Sequence, residues 1–257
     1  MRLIINADDF GYDADTVAAT IARLEDGTLT SATIMARMPE TKAAIDYARK
    51  RPDISFGVHL TYVCDTVEAP VCPASEVPAL VRPDGRFLTS NTVRMLAVRG
   101  QIPVSQIICE TQAQLSLIRD HGLVVSHVDS HGHLHKFRPF RAALEEVLPR
   151  FGIRRVRAVQ NIYLRRPWTS PTYWLGALWG AGLRRRFATT DYFFMSASAG
   201  DANWSHSLID RQLPGVVEVG VHPGLREEWR RNESMAAAEL AALARARGHE
   251  LITWHAV

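Results

Sequence analysis

Residues 126–135 read Ser-His-Val-Asp-Ser-His-Gly-His-Leu-His and hold four of the chain's ten histidines: His127, His131, His133 and His135. Imidazole is the commonest biological ligand for zinc-like cations, and an alternating His-x-His run on an extended strand sends its rings to one side. Partners stand upstream, with Asp8 and Asp9 in Asn-Ala-Asp-Asp-Phe-Gly and His59 in Gly-Val-His-Leu. Asp9, His59 and one histidine of the run make a carboxylate-plus-two-imidazole set that leaves coordination positions for water or substrate, as a catalytic metal requires. A free carboxylate beside a ligating one can take the proton of an attacking water, and His222, in Val-His-Pro-Gly, can protonate a leaving amine. Metal, base and acid together are the parts that hydrolyse an amide.

These residues need elements to bring them together. Short apolar runs predict strands at Leu3–Ala7, Ser31–Ala36, Ile54–Leu60, Val124–Asp129, Arg155–Gln160, Asp191–Met195, Val216–Val221 and Glu250–Trp254. Between them, helical spacing predicts helices at Ala14–Asp26, Thr41–Arg51, Ser105–His121, Arg138–Arg150, Pro171–Arg186 and Glu233–Arg247. Strand–helix alternation of this kind argues for a parallel sheet, and about eight repeats argue for an α/β fold closed as a TIM-like (β/α) barrel, with room for irregularity. The expectation is one domain over residues 1–257. Residues 61–103 carry five prolines and read as an insertion after strand three, lying over the barrel mouth. Catalytic groups of such barrels come from the C-terminal ends of strands. Asp8, Asp9, His59, His131 and His222 all follow or end predicted strands, and Arg157 lies in the fifth.

With 257 residues and 47 % hydrophobic content the chain can bury a full core, and a net charge of +3 is far from the basic excess of a nucleic-acid-binding domain. Cys64, Cys72 and Cys109 are odd in number and lack a Cys-x-x-Cys pair. Neither a disulfide framework nor a thiolate zinc site is expected from them, and they suit a reducing cytoplasm. The run Leu3-Ile4-Ile5 is too short for a signal peptide and reads as the first strand.

The motifs around Asp8-Asp9, His59, the histidine run and His222, in this order, resemble the YdjC-like carbohydrate deacetylases, a family that includes chitooligosaccharide deacetylases and hopanoid-biosynthesis-associated deacetylase-like proteins. The likeness runs from Arg2 to about Pro223. It implies a (β/α) barrel, one divalent metal (zinc or magnesium) and removal of N-linked acetyl from an amino sugar; the aromatic and basic character of segment 168–187 adds a lipid-linked glycan to an oligosaccharide as the expected substrate. Carried over by motif, Asp9, His59 and His131 are the metal ligands and Asp8 the general base, with His222 proposed as the acid. Arg157 is then a substrate contact or an orienter of the base. A homodimer is also implied. From the residues themselves, His127, His133 and His135 divide between holding substrate and orienting a ligand ring, with His133 and His135 expected at the substrate. Where chitooligosaccharide deacetylases typically carry three consecutive histidines, this chain has His131-Gly132-His133, which keeps the ligand position and loses a neighbouring ring.

Other readings of the same residues stand beside these. Asp13 or Asp15 is a helix N-cap rather than a site residue. Asp129 is a partner that orients a ring, one possibility for a carboxylate inside the histidine run. Segment 168–187, with Trp168, Trp174 and Trp179 ahead of Arg184-Arg185-Arg186, is either a barrel helix packed on its sheet or a surface that meets lipid or a partner subunit at the inner face of the membrane. Arg154, Arg155, Arg165 and Arg166 form a solvated basic face or an anion contact. The same metal set also suits a phosphoester hydrolase, a non-haem iron oxygenase or a non-catalytic sugar-binding descendant.

Overall fold

The computed structural model describes residues 1–164, 171–196 and 203–257. Arg165, Arg166 and Trp168 lie outside the described residues.

Among the described residues, seven strands form one all-parallel sheet. They are β1 (Arg2–Phe10), β2 (Ser31–Ile34), β3 (Ser55–Leu60), β4 (Val128–Ser130), β5 (Tyr192–Met195), β6 (Val216–Val221) and β7 (Glu250–Leu251). Their order is β4-β3-β2-β1-β6-β5, with the two-residue β7 paired to the start of β1. Leu3, Ile4, Ile5, Val58, Val217 and Val219 are wholly buried, as expected of a parallel sheet covered on both faces. Around the sheet lie α1 (Ala14–Glu25), α2 (Thr41–Ala48), α3 (Ser90–Val98), α4 (Val104–Asp120), α5 (Arg138–Val147), α6 (Pro171–Arg184), α7 (Trp204–Ile209) and α8 (Glu228–Ala246). None of the described helices is long and apolar enough to cross a membrane.

The strand expected at Arg155–Gln160 is not a full ladder. Its amides divide between two neighbours: Arg157 N donates to the Val128 carbonyl at 3.0 Å, whereas Val156 N donates to that of Ala188 at 3.0 Å. Single bridges, Val128 with Val156 and Arg155 with Ala188, therefore join the two ends of the curled sheet. The curl is barrel-like, and this segment is its irregular seam.

The insertion folds onto α4 and α5. Tyr62 packs edge-on to Phe140 with ring centroids 4.9 Å apart, and the buried Glu110 of α4 accepts from the amides of Val71 and Cys72, both at 2.9 Å. Cys72 and Cys109 are joined as a disulfide across 37 residues. This corrects the expectation of unpaired cysteines and removes their support for a reducing compartment. Pairing depends on the insertion folding back on α4, which sequence spacing does not encode.

Asp13 caps α1: Thr16 N donates to its Oδ1 at 2.8 Å, and the Thr16 hydroxyl accepts from Asp13 N. The cap ends the chain's exit from β1 and so fixes the turn directly after Asp8 and Asp9.

Candidate metal centre and its flanking clefts

Neighbouring residues of a regular strand point to opposite faces. Asp8 and Asp9 end β1 where its register against β2 shifts between Ala7 and Phe10, and Asp9 takes a φ of 60°. Such a φ is uncommon outside glycine and clusters at functional sites, although aspartate tolerates it better than most residues. Asp8 is buried against the interior, and Asp9 lines a cleft of about 430 Å³.

Asp9, His59 and His131 converge there. Asp9 Oδ1 lies 3.5 Å from His59 Nε2 and 3.2 Å from His131 Nδ1, and the two ring nitrogens are 3.3 Å apart. A cation with tetrahedral bonds of zinc length places its ligand atoms about 3.4 Å from one another. The triangle fits such an ion. It leaves one face toward the cleft, which His222, Tyr12, Asp65 and Trp229 also line.

Each imidazole is held from behind. His59 Nδ1 is 2.7 Å from Asp129 Oδ1, so that nitrogen donates and Nε2 keeps its lone pair for the triangle. His131 Nε2 is 2.9 Å from Asp65 Oδ2, leaving Nδ1 free in the same sense. With no cation bound, burial disfavours the charged ring of His131, but hydrogen bonds to Asp65 and Asp9 outweigh it and push the pKa up to about 10, so a ligated cation would take the place of the Nδ1 proton. Burial likewise opposes the Asp9 charge, yet the His131 bond and the surrounding histidines hold its carboxyl well below the usual range.

Behind the triangle lies Arg157, wholly buried. Its Nη1 and Nη2 each lie 2.7 Å from a carboxylate oxygen of Asp8, its Nε is 2.7 Å from Glu218 Oε1, and Nη1 also reaches Asp129. Burial raises the Asp8 pKa and the guanidinium charge lowers it; the charge wins, and Asp8 stays ionised far into acid. Glu218, with one oxygen unmatched, is pushed by burial up to about 7 despite Arg157. Every nitrogen of Arg157 is thus matched to a carboxylate, Asp8 among them.

His222 follows β6 at the other side of the cleft. Its Nδ1 is 3.1 Å from Glu233 Oε2, and Trp229 stands edge-on at 5.6 Å between centroids. Burial lowers its basicity, but Glu233 and the nearby aspartates raise it above the ordinary histidine value. Arg230 donates to Asp9 Oδ2 at 3.1 Å and lies over the Trp229 ring.

The remaining histidines separate. His127 stacks on Trp254 at 4.4 Å, buried and away from the triangle. Gly132 and His133 have φ of 64° and 56°, which breaks the strand-like alternation and sends His133 and His135 into a second cleft. Sequence reasoning missed Asp65, Glu218, Arg230 and Glu233. Glu218 did carry a signal, as a lone carboxylate in the apolar run Val-Val-Glu-Val-Gly-Val. Asp65 carried none.

A carbohydrate deacetylase of Geobacillus stearothermophilus is 30 % identical over 223 residues, 86 % of this chain and 78 % of that protein. One of Vibrio parahaemolyticus is 26 % identical over 233 residues, 89 % of this chain and 80 % of that protein. A crystal structure from Enterococcus faecalis V583, described as a cellobiose-phosphate cleavage protein, superposes with a TM-score of 0.81 over 99 % of this chain and 98 % of its own, at 22 % identity, and shares the fold. The family described as YdjC-like protein matches residues 2–254, and the chain belongs to that family.

Proposed function

We propose that this protein is a metal-dependent carbohydrate deacetylase that hydrolyses the N-acetyl group of an amino sugar. The carrying observation is the Asp9–His59–His131 triangle with a clamped carboxylate on one side and a carboxylate-paired histidine on the other. Names of the similar proteins support the reaction class.

Asp9, His59 and His131 would hold one divalent cation; two imidazoles and one carboxylate suit zinc better than magnesium, which prefers oxygen ligands. Bound there, such an ion would acidify water and polarise the acetyl carbonyl. Asp8 takes the proton of the attacking water, and Arg157 keeps that carboxylate ionised and aimed. Asp129 and Asp65 fix the two rings. His222, made more basic by Glu233, gives a proton to the departing nitrogen. In this reading Arg157 positions the base, and His133 and His135 bind substrate beyond the triangle.

Acetate release from N-acetylglucosamine oligomers, nucleotide sugars and glycolipids, measured with zinc, magnesium and cobalt, tests the proposal. Release with at least one sugar and one metal supports it. Absence of release by protein that binds one metal per chain favours the sugar-binding alternative. Binding of two or more metals with phosphoester cleavage favours the phosphoester hydrolase.

A lipid-linked sugar is the narrower reading of the substrate. Trp174, Leu175 and Leu178 on α6 are exposed by 62 %, 44 % and 67 %, an apolar face beside the second cleft. Sedimentation with anionic vesicles that Trp174→Ala and Leu178→Ala do not weaken would count against contact through this face. The expected homodimer is tested by light scattering.

A further inference from the structure

Three carboxylates meet one guanidinium in the interior of the curled sheet. Asp8 from β1, Asp129 from β4 and Glu218 from β6 all touch Arg157, and each of the four side chains is at most 1 % exposed. Fully ionised, three anions against one cation leave two negative charges in excess where water is excluded. Such an excess is costly, and its ordinary relief is that one carboxyl keeps its proton.

Hydrogen bonding singles out the carboxyl. Asp8 receives two bonds from Arg157 at 2.7 Å and a third from Asn6 Nδ2 at 2.8 Å. Asp129 receives Arg157 Nη1, the Thr33 hydroxyl at 3.1 Å and His59 Nδ1 at 2.7 Å. Glu218 receives one bond, from Arg157 Nε to Oε1 at 2.7 Å, and its buried Oε2 has no partner among the described residues. Donors stabilise the charged form of a carboxyl, so the proton belongs on the acid with the fewest. Asn6 Oδ1 is also buried and unmatched, on the strand that sets Ile4 opposite Glu218 and Asn6 opposite Gly220. The hydroxyl of a protonated Glu218 supplies a donor that this part of the interior lacks.

The charges that act on Glu218 most are those of Arg157, Asp129 and Asp8. β5 opposes it with Phe193, over whose ring the guanidinium lies at 4.8 Å. α8 also packs on β6, but it turns Arg230 to Asp9 and Glu233 to His222. His127, which feels the same guanidinium, is kept neutral by burial. Burial accordingly pushes the Glu218 carboxyl up to about 7 against the pull of Arg157.

We propose that Glu218 is a positioning residue that works as a neutral acid, its proton leaving the charge of Arg157 to Asp8 and Asp129. Once that proton is lost, three anions draw on one guanidinium, and the fork that aims Asp8 is weakened. This role concerns the buried network and holds whichever reaction the cleft performs.

Infrared spectra of the whole chain in D2O read the proton directly, because the carbonyl stretch of a carboxylic acid stands apart from the carboxylate bands. At about pH 6, above the ordinary carboxyl range, the parent protein should show an acid band that fades with a midpoint near neutral pH. Glu218→Gln should lack that band. Glu110, also pushed up by burial, accepts from Val71 N, Cys72 N and Gln114 Nε2, and Glu110→Gln should keep the band. Should Glu218→Gln fail to fold, a band that survives in Glu110→Gln and moves on isotopic labelling of glutamate carboxyls carries the assignment.

Stability gives a second measurement. The folded value lies above the ordinary 4.5, so the contribution of the protonated acid is fully present below about 4.5 and is lost as pH rises through about 7. Relative to Glu218→Gln, neutral throughout, the unfolding constant of the parent should rise roughly a hundredfold across that window. Contributions of the histidines are common to both proteins and cancel. Absence of the acid band, its loss in Glu110→Gln, its persistence in Glu218→Gln, or a stability difference that does not change with pH would overturn the proposal.

Discussion

Arg157 and Asp8 meet fork to fork, with two nitrogen–oxygen separations of 2.7 Å, at a point where neither side chain reaches solvent. The same guanidinium holds Asp129, which holds His59. One buried cation thus ties the proposed base to a proposed metal ligand 51 residues further on. Substituting it disturbs both.

Arg157→Met would leave Asp8, Asp129 and Glu218 facing one another without their counter-charge. Breaking a buried pair from one side costs about 3–5 kcal/mol. A fall in the urea midpoint with a near-unchanged slope is the expected outcome. Stability equal to the parent protein would mean that water enters the network and that Arg157 does not organise it.

Asp8→Asn keeps the shape of the side chain but removes the proton acceptor. Metal content should stay at one per chain, while kcat falls about 10²- to 10⁴-fold, the usual worth of a general base. His131→Ala should lose both metal and turnover. Normal acetate release by the Asp8 variant would refute the role assigned to it.

Asp65 lies in the insertion, yet it fixes the ring of His131. Partners of this kind typically contribute ten- to a hundredfold to metal affinity. Asp65→Asn should therefore lower zinc affinity by about that factor in competition with a chromophoric chelator, with little effect on thermal unfolding. An unaltered affinity would detach the insertion from the metal centre.

His222 must be protonated to act as the acid, and Glu233 raises its pKa. Activity should fall as pH rises through that value. Glu233→Gln removes the stabilising charge, lowers the His222 pKa and should move the alkaline limb of the kcat profile to lower pH. A limb that stays in place would remove His222 from the acid role.

His127 and His135 are buried and His133 partly so, with pKa values depressed chiefly by desolvation; that of His135 is about 3. An unfolded chain takes up protons on these rings near pH 6.5, whereas the folded one does not until far lower. Their neutral burial is free of penalty above the unfolded value, and stability is lost as pH falls from there toward the folded values. Denaturant midpoints at pH 7.5 and pH 5 measure this, and His127→Gln should lessen the difference. An equal loss in that variant would exclude His127 from the effect.

The alternation of apolar runs and helical stretches made the parallel sheet legible in the sequence. Val216–Val221 is read there with the bounds that the structure gives. Asp8, Asp9, His59 and His131 were legible for a related reason: charged or metal-binding residues at the ends of apolar strands have few ways to be satisfied except by one another or by an ion. Strand ends on one sheet then place them near each other.

Tertiary structure alone decided the rest. Asp65, Arg230 and Glu233 come from a loop and a helix whose polar residues resemble any solvated surface until packing brings Asp65 to the rim of the cleft and turns Arg230 and Glu233 inward. Cys72 and Cys109 pair only because the insertion folds back on α4. Backbone torsion at Gly132 and His133 parts one histidine run between two clefts of opposite charge character. Local sequence specifies which groups can ionise or ligate; which of them share a small volume is set by long-range packing, and the chemistry depends on that sharing.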